Sequence, residues 1–488
     1  MNKVKKLLVV GGGNSGFISA LILKTRFPNM QVDMVYSKKI PIMGVGEGCT
    51  AHFKDFMEFV GINQFEMIAK TDATMKCSLT LKNWNKKITD LTIVHDALHS
   101  HVYGQNLIVW MNKIAKNLPI TSKMQLERCN KFIKKHLSNG YVPVNQFHFD
   151  TFKLNSFFEE ICIKKNIGII HDELLDVQFN EEGYIARVTG VDASYEYDFY
   201  IDSTGNRRFL IDKMGSKWKT FGDCIKVNSA YVFQTDVEEK IPTGTTITGM
   251  NCGWLFHIPV FSHTGNGYIY DDNYITDEQA KQEIEQFFGK KIDNGRVIKF
   301  TTGYSEKTWI KNCCAVGLSS IFMDPIGASN IGTTIQQTFL LMHRLLNYDE
   351  NIIYSYNDTI SVIHQNTLDF VVLHYLNGRT DTKFWKDVQS MNKPKSLENK
   401  LKIWRNKTPI ADDLRGTNFM MNAANFFVIL LYIFEFLDTE SIKYEYDSFP
   451  DHIKEQVEQI ISSQETEIAQ DTVSHNEALE YIRKLYIS

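Results

Sequence analysis

Four apolar residues running into a spaced triplet of glycines limit what this chain can fold into more than any other feature. Leu7, Leu8, Val9 and Val10 suit a strand buried on both faces, and they lead directly into Gly11-Gly12-Gly13-Asn14-Ser15-Gly16. Phe17, Ile18, Ala20, Leu21 and Ile22 then open a helical pattern. Strand, glycine turn and helix in that order form the first βα step of a doubly wound α/β sheet. A turn of the form Gly-x-Gly-x-x-Gly lets the backbone approach a pyrophosphate, and the unpaired N–H groups at the helix start hold the anion. Gly11, Gly13, Asn14, Ser15 and Gly16 are therefore candidates for binding a dinucleotide. The competing reading is a purely structural turn.

The second strand of such a unit usually ends, about 20 residues on, in an acidic side chain that holds the ribose hydroxyls. Alternation of Val32, Met34 and Tyr36 predicts a strand over residues 31–36, but it ends in Tyr36-Ser37-Lys38 with no carboxylate. Ser37 is the polar side chain left to meet the ribose.

Bulk properties narrow the field. With 488 residues, 43% of them apolar, and a net charge of −4, the chain has material for a large core and two lobes, and no basic excess for nucleic acid. Lys3, Lys5 and Lys6 run into the first strand without a signal-peptide pattern. The apolar run 426–434 is too short to span a bilayer and reads as a buried helix. Eight cysteines show neither a CxxC pair nor metal-ligand spacing, which suits reduced core residues in a cytoplasmic protein and predicts no metal site. No membrane partner is expected.

Along the chain, Gly44, Gly46 and Gly48 with Glu47 mark a loop whose backbone comes close to something. Residues 55–70 read as one helix. Cys77, Leu79 and Leu81 alternate with polar residues as a strand, and Lys76 stands at its start. By itself such a lysine reads as solvated surface. Residues 101–140 read as mainly helical, and Asp150 suits an N-cap for a helix over 151–165. Short strands follow at 168–171, 174–179 and 185–189. An apolar strand from Phe199 then ends in Asp202-Ser-Thr-Gly205. Runs of β type between 219 and 270 predict an antiparallel sheet, and 277–288 a helix. A strand near Cys313, a turn at Gly317 and the stretch Asp324 to Ile331 make a second helix start suited to an anion or to flavin carbonyl oxygens. The expected organisation is a discontinuous nucleotide lobe (1–100, 150–215 and 300–345). A sheet over 216–299 packs on it, with mainly helical substrate-binding parts at 101–149 and 346–488.

Taken in order, these segments resemble the flavin-dependent tryptophan-halogenase family across most of residues 1–410. GGGNSG and GVGEGCT are similar to the family's GGGTAG and GVGEAT. Met75-Lys76, before a strand ending in Asn83-Trp84, falls where the family keeps its catalytic lysine. Phe147-His148-Phe149-Asp150, Asp202-x-x-Gly205, Asn312-Cys-Cys-Ala-Val-Gly317-Leu318, and Asp369-Phe370 with His374-Tyr375 fit as well. The family's Trp-x-Trp-x-Ile-Pro signature is traced by Trp254, Ile258 and Pro259, with Phe256 at the second tryptophan.

The resemblance implies an α/β, Rossmann-type FAD-binding fold of the flavin monooxygenase-like kind, with an antiparallel sheet and a helical C-terminal region. It implies FAD, used as FADH2, with O2 and a halide ion (chloride, bromide or iodide). A separate flavin reductase supplies FADH2, and the substrate is an aromatic small molecule. A homo-oligomer is compatible with it. Hypohalous acid made at the flavin would reach Lys76, which activates it by hydrogen bonding or as a haloamine. By the same resemblance Gly46, Glu47, Asp202, Gly205, Gly317, Asp324 and Ile331 join the glycine loop as cofactor residues. Ser329, Asn330, Trp254, Phe256 and Pro259 fall to halide or substrate. One departure stands out: the carboxylate that the family places near the lysine is Gly327 here. A flavin-dependent aromatic hydroxylase (monooxygenase) and a flavin-binding protein that has lost its chemistry remain the alternatives.

Overall fold

A computed structural model describes residues 2–42, 44, 47–87, 90–94, 107–119, 121, 123–416, 420–467 and 471–486. The chain divides into two compact units. The first comprises residues 1–71, 149–222 and 301–364, and the second 72–148, 223–300 and 365–488.

The first unit is built on a six-stranded sheet in the order Gly168–His171, Gln31–Tyr36, Lys6–Val10, Phe199–Asp202, Cys313–Ala315, Trp309–Ile310. All neighbours are parallel except the last pair. Leu7, Leu8 and Val9 are fully buried, as a strand covered on both faces requires. The helix Asn14–Arg26 returns the chain from the first strand to the second and packs against the helices Thr151–Lys164 and Ser329–Met342. Asp150 caps the former: its carboxylate accepts from the N–H groups of Phe152 (2.9 Å) and Lys153 (2.8 Å), the expected role. A small antiparallel sheet, Leu174–Phe179 with Ile185–Gly190 and Ser194–Tyr195, shares a core with Leu8, Val10 and Tyr200.

The second unit holds a seven-stranded sheet in the order Arg296–Lys299, Ser229–Thr235, Thr264–Tyr270, Gly253–Pro259, Gly244–Gly249, Ser78–Lys82, Asp90–Val94. It is antiparallel except where Ser78–Lys82 runs parallel to Gly244–Gly249. The helix Asp277–Phe288 covers part of it through Ala280 and Ile284. A helical core gathers Leu107–Ala115, Ala423–Val428, Thr439–Asp447 and Asp451–Glu467.

One local expectation is corrected and two gain detail. Residues 55–70 form two helices, His52–Val60 and Gln64–Lys70, because Gly61 takes a left-handed conformation (φ 77°) and Asn63 caps the second helix. The 101–140 region carries a strand, Lys131–Ile133, paired with Thr472–Ser474, between its helices. Its residues 101–106 lie outside those described. The apolar run near 426–434 is α-helical to Val428 and continues as a π-helical stretch, Ile429–Ile433.

Candidate active site

In the first unit the glycine loop is shaped by close approach. Gly11 sits at φ 123°, where a side chain would run into the Ser203 carbonyl, and a Cβ on Gly16 would strike the Gly11 carbonyl. Gly13, the N-cap of Asn14–Arg26, has ordinary extended backbone (φ −80°) and nothing within 4 Å of where its Cβ would lie. No side chain caps this helix and its first turn carries no acid. The outcome is an open cradle with the positive end of a helix facing it, which fits a pyrophosphate.

The helix Thr151–Lys164 braces that cradle. Asn155 Nδ2 donates to Gly12 O (2.9 Å) and to Asn14 Oδ1 (3.2 Å), and Asn14 Nδ2 lies 3.5 Å from Thr151 O. At the end of the second strand, the Tyr36 ring packs where a Cβ on Gly12 would go, and its hydroxyl donates to Glu159 (2.7 Å). Burial and that carboxylate push the Tyr36 hydroxyl well above its usual range. Ser37 Oγ accepts from Lys39 N (3.2 Å).

The second helix start meets the same loop. Ser15 Oγ and Thr334 Oγ1 are 3.1 Å apart, and Gly317, at φ 59°, leaves no room for a side chain against Ser15. Gln337 holds this turn, accepting from Gly317 N (3.3 Å) and donating to Ser320 Oγ (2.6 Å). Gly327 (φ 86°) and Ala328 (φ 51°) turn the chain into the helix Ser329–Met342, which begins without a side-chain cap or an acid in its first turn. Ser329 and Ile331 are buried and Asn330 half-buried, so this helix start can offer backbone N–H groups to an anion.

The structure thus brings Gly11, Gly13, Asn14, Ser15, Gly16, Gly317 and the 329–331 turn together within one unit. Two carboxylates expected near the cofactor are engaged by protein. Asp202, fully buried, accepts from Thr204 N (3.0 Å), Leu210 N (2.8 Å), Ile211 N (2.8 Å) and Ser319 Oγ (3.1 Å). Asp324, also buried, accepts from Ile326 N (2.8 Å). Gly205 is left-handed (φ 63°) and opens the turn after Asp202. Gly46 and the side chain of Glu47 lie outside the described residues.

In the second unit Lys76 is only 7% exposed, so it is no surface lysine. Burying an ammonium group is costly unless its surroundings use it. Lys76 does not open the strand as expected but lies in the link between the strands Thr74–Met75 and Ser78–Lys82, and that link is tied down on both sides. Thr74 and Met75 pair with His148 and Phe147, Lys76 N donates to Gln146 O (3.0 Å), and Cys77 N donates to Thr243 O (2.6 Å). Trp254 is 1% exposed; its N–H donates to Tyr375 Oη (3.0 Å) and its ring meets Trp84 edge-on at 6.2 Å. Phe256 is buried over Gly267, and Pro259 O accepts from the Thr74 hydroxyl (2.7 Å). Of these three, Pro259 is the one bonded to the strand just ahead of Lys76. Sequence patterns gave no signal for Asn155 or Gln337, and His148 stood out only as part of the Phe147-His148-Phe149-Asp150 match, with no partner indicated.

No group of His, Cys, Asp or Glu suited to a metal ion occurs among the described residues, and no described helix is long and apolar enough to cross a membrane.

Comparison with known proteins finds relatives over most of the chain. The family model described as tryptophan halogenase matches residues 6–451. The 7-chloro-L-tryptophan 6-halogenase of Kutzneria sp. (strain 744) is 24% identical over 449 residues, 83% of this chain and 85% of the relative. The crystal structure of a tryptophan halogenase from Shewanella frigidimarina NCIMB 400 superposes with a TM-score of 0.87 at 20% identity, over 99% of this chain and 98% of the other. A flavin-dependent halogenase from Xanthomonas campestris superposes with a TM-score of 0.81 at 22% identity, over 98% of each chain. At these identities the structural likeness is one of fold, the Rossmann-like FAD-binding fold of the flavin-dependent halogenases.

Proposed function

The chain belongs to the tryptophan halogenase family and is an enzyme of the flavin-dependent halogenase kind. From that premise we propose that it uses FADH2, O2 and halide to halogenate an electron-rich aromatic small molecule, with Lys76 presenting the halogen to the ring. The observation that carries this reading is the burial of Lys76 in the short link between the strands Thr74–Met75 and Ser78–Lys82, a link fixed by backbone bonds at Lys76 itself and at Cys77.

FAD would be held by the Gly11–Gly16 loop, by Gly317 and by the helix starting at Ser329. When bound and reduced it supplies, with O2 and halide, hypohalous acid. Backbone N–H groups near Ser329 and Asn330 would hold the halide ion. The Lys76 ammonium donates a hydrogen bond to the hypohalite oxygen, drawing electron density from the halogen so that the ring attacks it as an electrophile. In the covalent version the neutral amine takes the halogen, forming an N–halogen bond and releasing water. Trp254, Phe256 and Pro259 belong to the sheet that the chain enters just after Lys76 and would keep it dry and rigid there, which strengthens that polarisation.

With Gly327 where the family keeps a carboxylate, no side chain from that position can take the ring proton or orient the halogen. The reading therefore favours phenols, anilines and other activated rings over free tryptophan. The setting it assumes is a cytoplasmic enzyme supplied by a separate flavin reductase. The test gives the purified protein an independent reductase, FAD, halide and a panel of electron-rich arenes, with products read by mass. Halogenated phenols or anilines support the proposal. Hydroxylated rings, or rapid NADH oxidation by the protein alone, would assign it to the monooxygenases; no conversion of any arene would leave a degenerate flavin binder.

A further inference from the structure

We propose that the C-terminal helix His475–Tyr486 is a positioning element for Lys76, acting through His475 and Arg483. This rests on the reading of Lys76 as the residue that delivers the halogen. The helix lies beyond residue 451, where the match to the family ends.

His475 joins two backbone segments that are both more than 200 residues away in the chain. Its Nδ1 lies 2.9 Å from Ile241 O, which can only accept, so Nδ1 carries the proton. Nε2 then has a lone pair, and it accepts from Met75 N at 3.2 Å, one residue before Lys76. Burial keeps this imidazole neutral, as the second bond requires.

The neighbouring Asn476 completes the grip. Its Oδ1 accepts from Ile241 N (3.0 Å) and its Nδ2 donates to Glu239 O (2.8 Å). Two residues on from Ile241, Thr243 O accepts from Cys77 N (2.6 Å) and Ser78 N (3.2 Å). The chain before Lys76 and the chain after it are thus tied to one segment, and the start of the helix fixes that segment.

Farther along the helix, Arg483 makes a second anchor. Its Nη1 lies 2.7 Å from Asp72 Oδ1, and its guanidinium sits 4.0 Å from the centre of the Phe261 ring. Asp72 is 3% exposed in its side chain and holds a left-handed backbone (φ 52°), and its carbonyl accepts from Phe261 N (3.0 Å). One helix therefore grips the chain at residues 72 and 75, immediately ahead of Lys76. Catalysis by positioning is steep in distance: a shift of about 1 Å can cost on the order of 100-fold.

The experiment compares His475→Phe, which keeps a ring but neither hydrogen bond, with His475→Gln, which can donate and accept, and with Arg483→Gln and Lys76→Ala. Each is assayed for FAD affinity, flavin reoxidation, halogenated product and hypohalous acid captured by a soluble β-diketone. His475→Phe and Arg483→Gln should keep FAD affinity and reoxidation within about twofold. Product should fall on the order of 10- to 100-fold, with the missing oxidant found on the diketone, and His475→Gln should recover part of it. If Lys76→Ala uncouples the enzyme while neither helix variant does, the inference fails and the reading of Lys76 stands. If product and FAD binding fall together in both helix variants and in the glutamine rescue, the helix is only structural and the inference is overturned. Unchanged halogenation in Lys76→Ala would instead overturn the reading beneath it.

Discussion

Thr74 and His148 share a hydrogen bond whose direction is set by a third group. Thr74 Oγ1 donates to Pro259 O at 2.7 Å, so it must accept from His148 Nδ1 at 3.2 Å. His148 Nε2 lies 2.8 Å from the Thr245 hydroxyl. A buried histidine and the threonine beside it thereby stitch the strand Thr74–Met75, just ahead of Lys76, to two strands of the seven-stranded sheet.

Removing the hydroxyl from this relay should be felt as stability. Thr74→Val is nearly isosteric but leaves His148 Nδ1 and Pro259 O short of a partner, which typically costs about 1–3 kcal/mol. Thr74→Ser should lose much less. Urea denaturation of the three proteins checks this, and a valine variant as stable as wild type would contradict it.

The cofactor cradle makes a prediction at Gly13. Its backbone is allowed to alanine and no protein atom lies within 4 Å of the new methyl, so Gly13→Ala should fold normally. The methyl would stand where a pyrophosphate approaches the helix start, and FAD affinity should fall about 10-fold or more, roughly 1.4 kcal/mol. Fluorescence titration with FAD reads this directly. Unchanged affinity in a folded variant would move the cofactor away from this loop.

Asp369 and Lys400 form a buried ion pair, side chains 0% and 7% exposed, with Nζ to Oδ2 at 2.5 Å. Gln365 and Ser396 also donate to Asp369, at 3.1 and 2.7 Å, yet burial still holds its carboxyl above the usual range. Lys400→Met would strand that carboxylate and should cost about 3–5 kcal/mol. The double variant Lys400→Met with Asp369→Leu should recover most of the loss. Chemical denaturation of both decides it, and a mild single variant would show that the pair contributes little.

Buried histidines give stability a pH dependence. Burial lowers His475 to about 4, and the unfolded chain holds it near 6.5. Between those values the unfolded state carries the extra proton, so stability falls as pH drops, by about 1.4 kcal/mol per pH unit for each such group. His364 and His374, lowered to about 3 and about 4, act in the same sense. His475→Gln should be shallower than wild type by about one proton between pH 4 and 6.5. Parallel stability–pH curves for the two proteins would contradict this.

What could be read from the chain alone was local. The first strand, its glycine turn and helix, the strand Gln31–Tyr36, and the Asp150 cap depend on neighbours within a few residues, and they fold as the pattern indicates. The strand after Lys76 was also legible, but its parallel partner Gly244–Gly249 was not, because period-two alternation says nothing about which strand lies alongside. The break at Gly61-Ile62-Asn63 carried its own signal, a glycine and a capping asparagine, that an apolar pattern masked. His475 carried none. A single histidine outside any motif becomes meaningful only when the fold sets it beside Met75. The missing ribose carboxylate was visible at Tyr36-Ser37, whereas Glu159, which meets the Tyr36 hydroxyl, comes from a helix more than 100 residues later.

The most direct measurement of the central claim separates oxidant production from its use, in Lys76→Ala and wild type with one reductase, halide and activated arene. Methyl in place of ammonium leaves the cradle residues of the first unit untouched but removes the hydrogen-bond donor and the amine nitrogen that would carry the halogen. FAD binding and flavin reoxidation should persist, while halogenation of the arene falls about 100- to 1000-fold, the usual cost of losing one donor in a dry site. Residual product should match what free hypohalous acid gives in solution, without positional preference. Halogenation at near wild-type rate and selectivity would contradict the account and return Lys76 to an ordinary buried side chain.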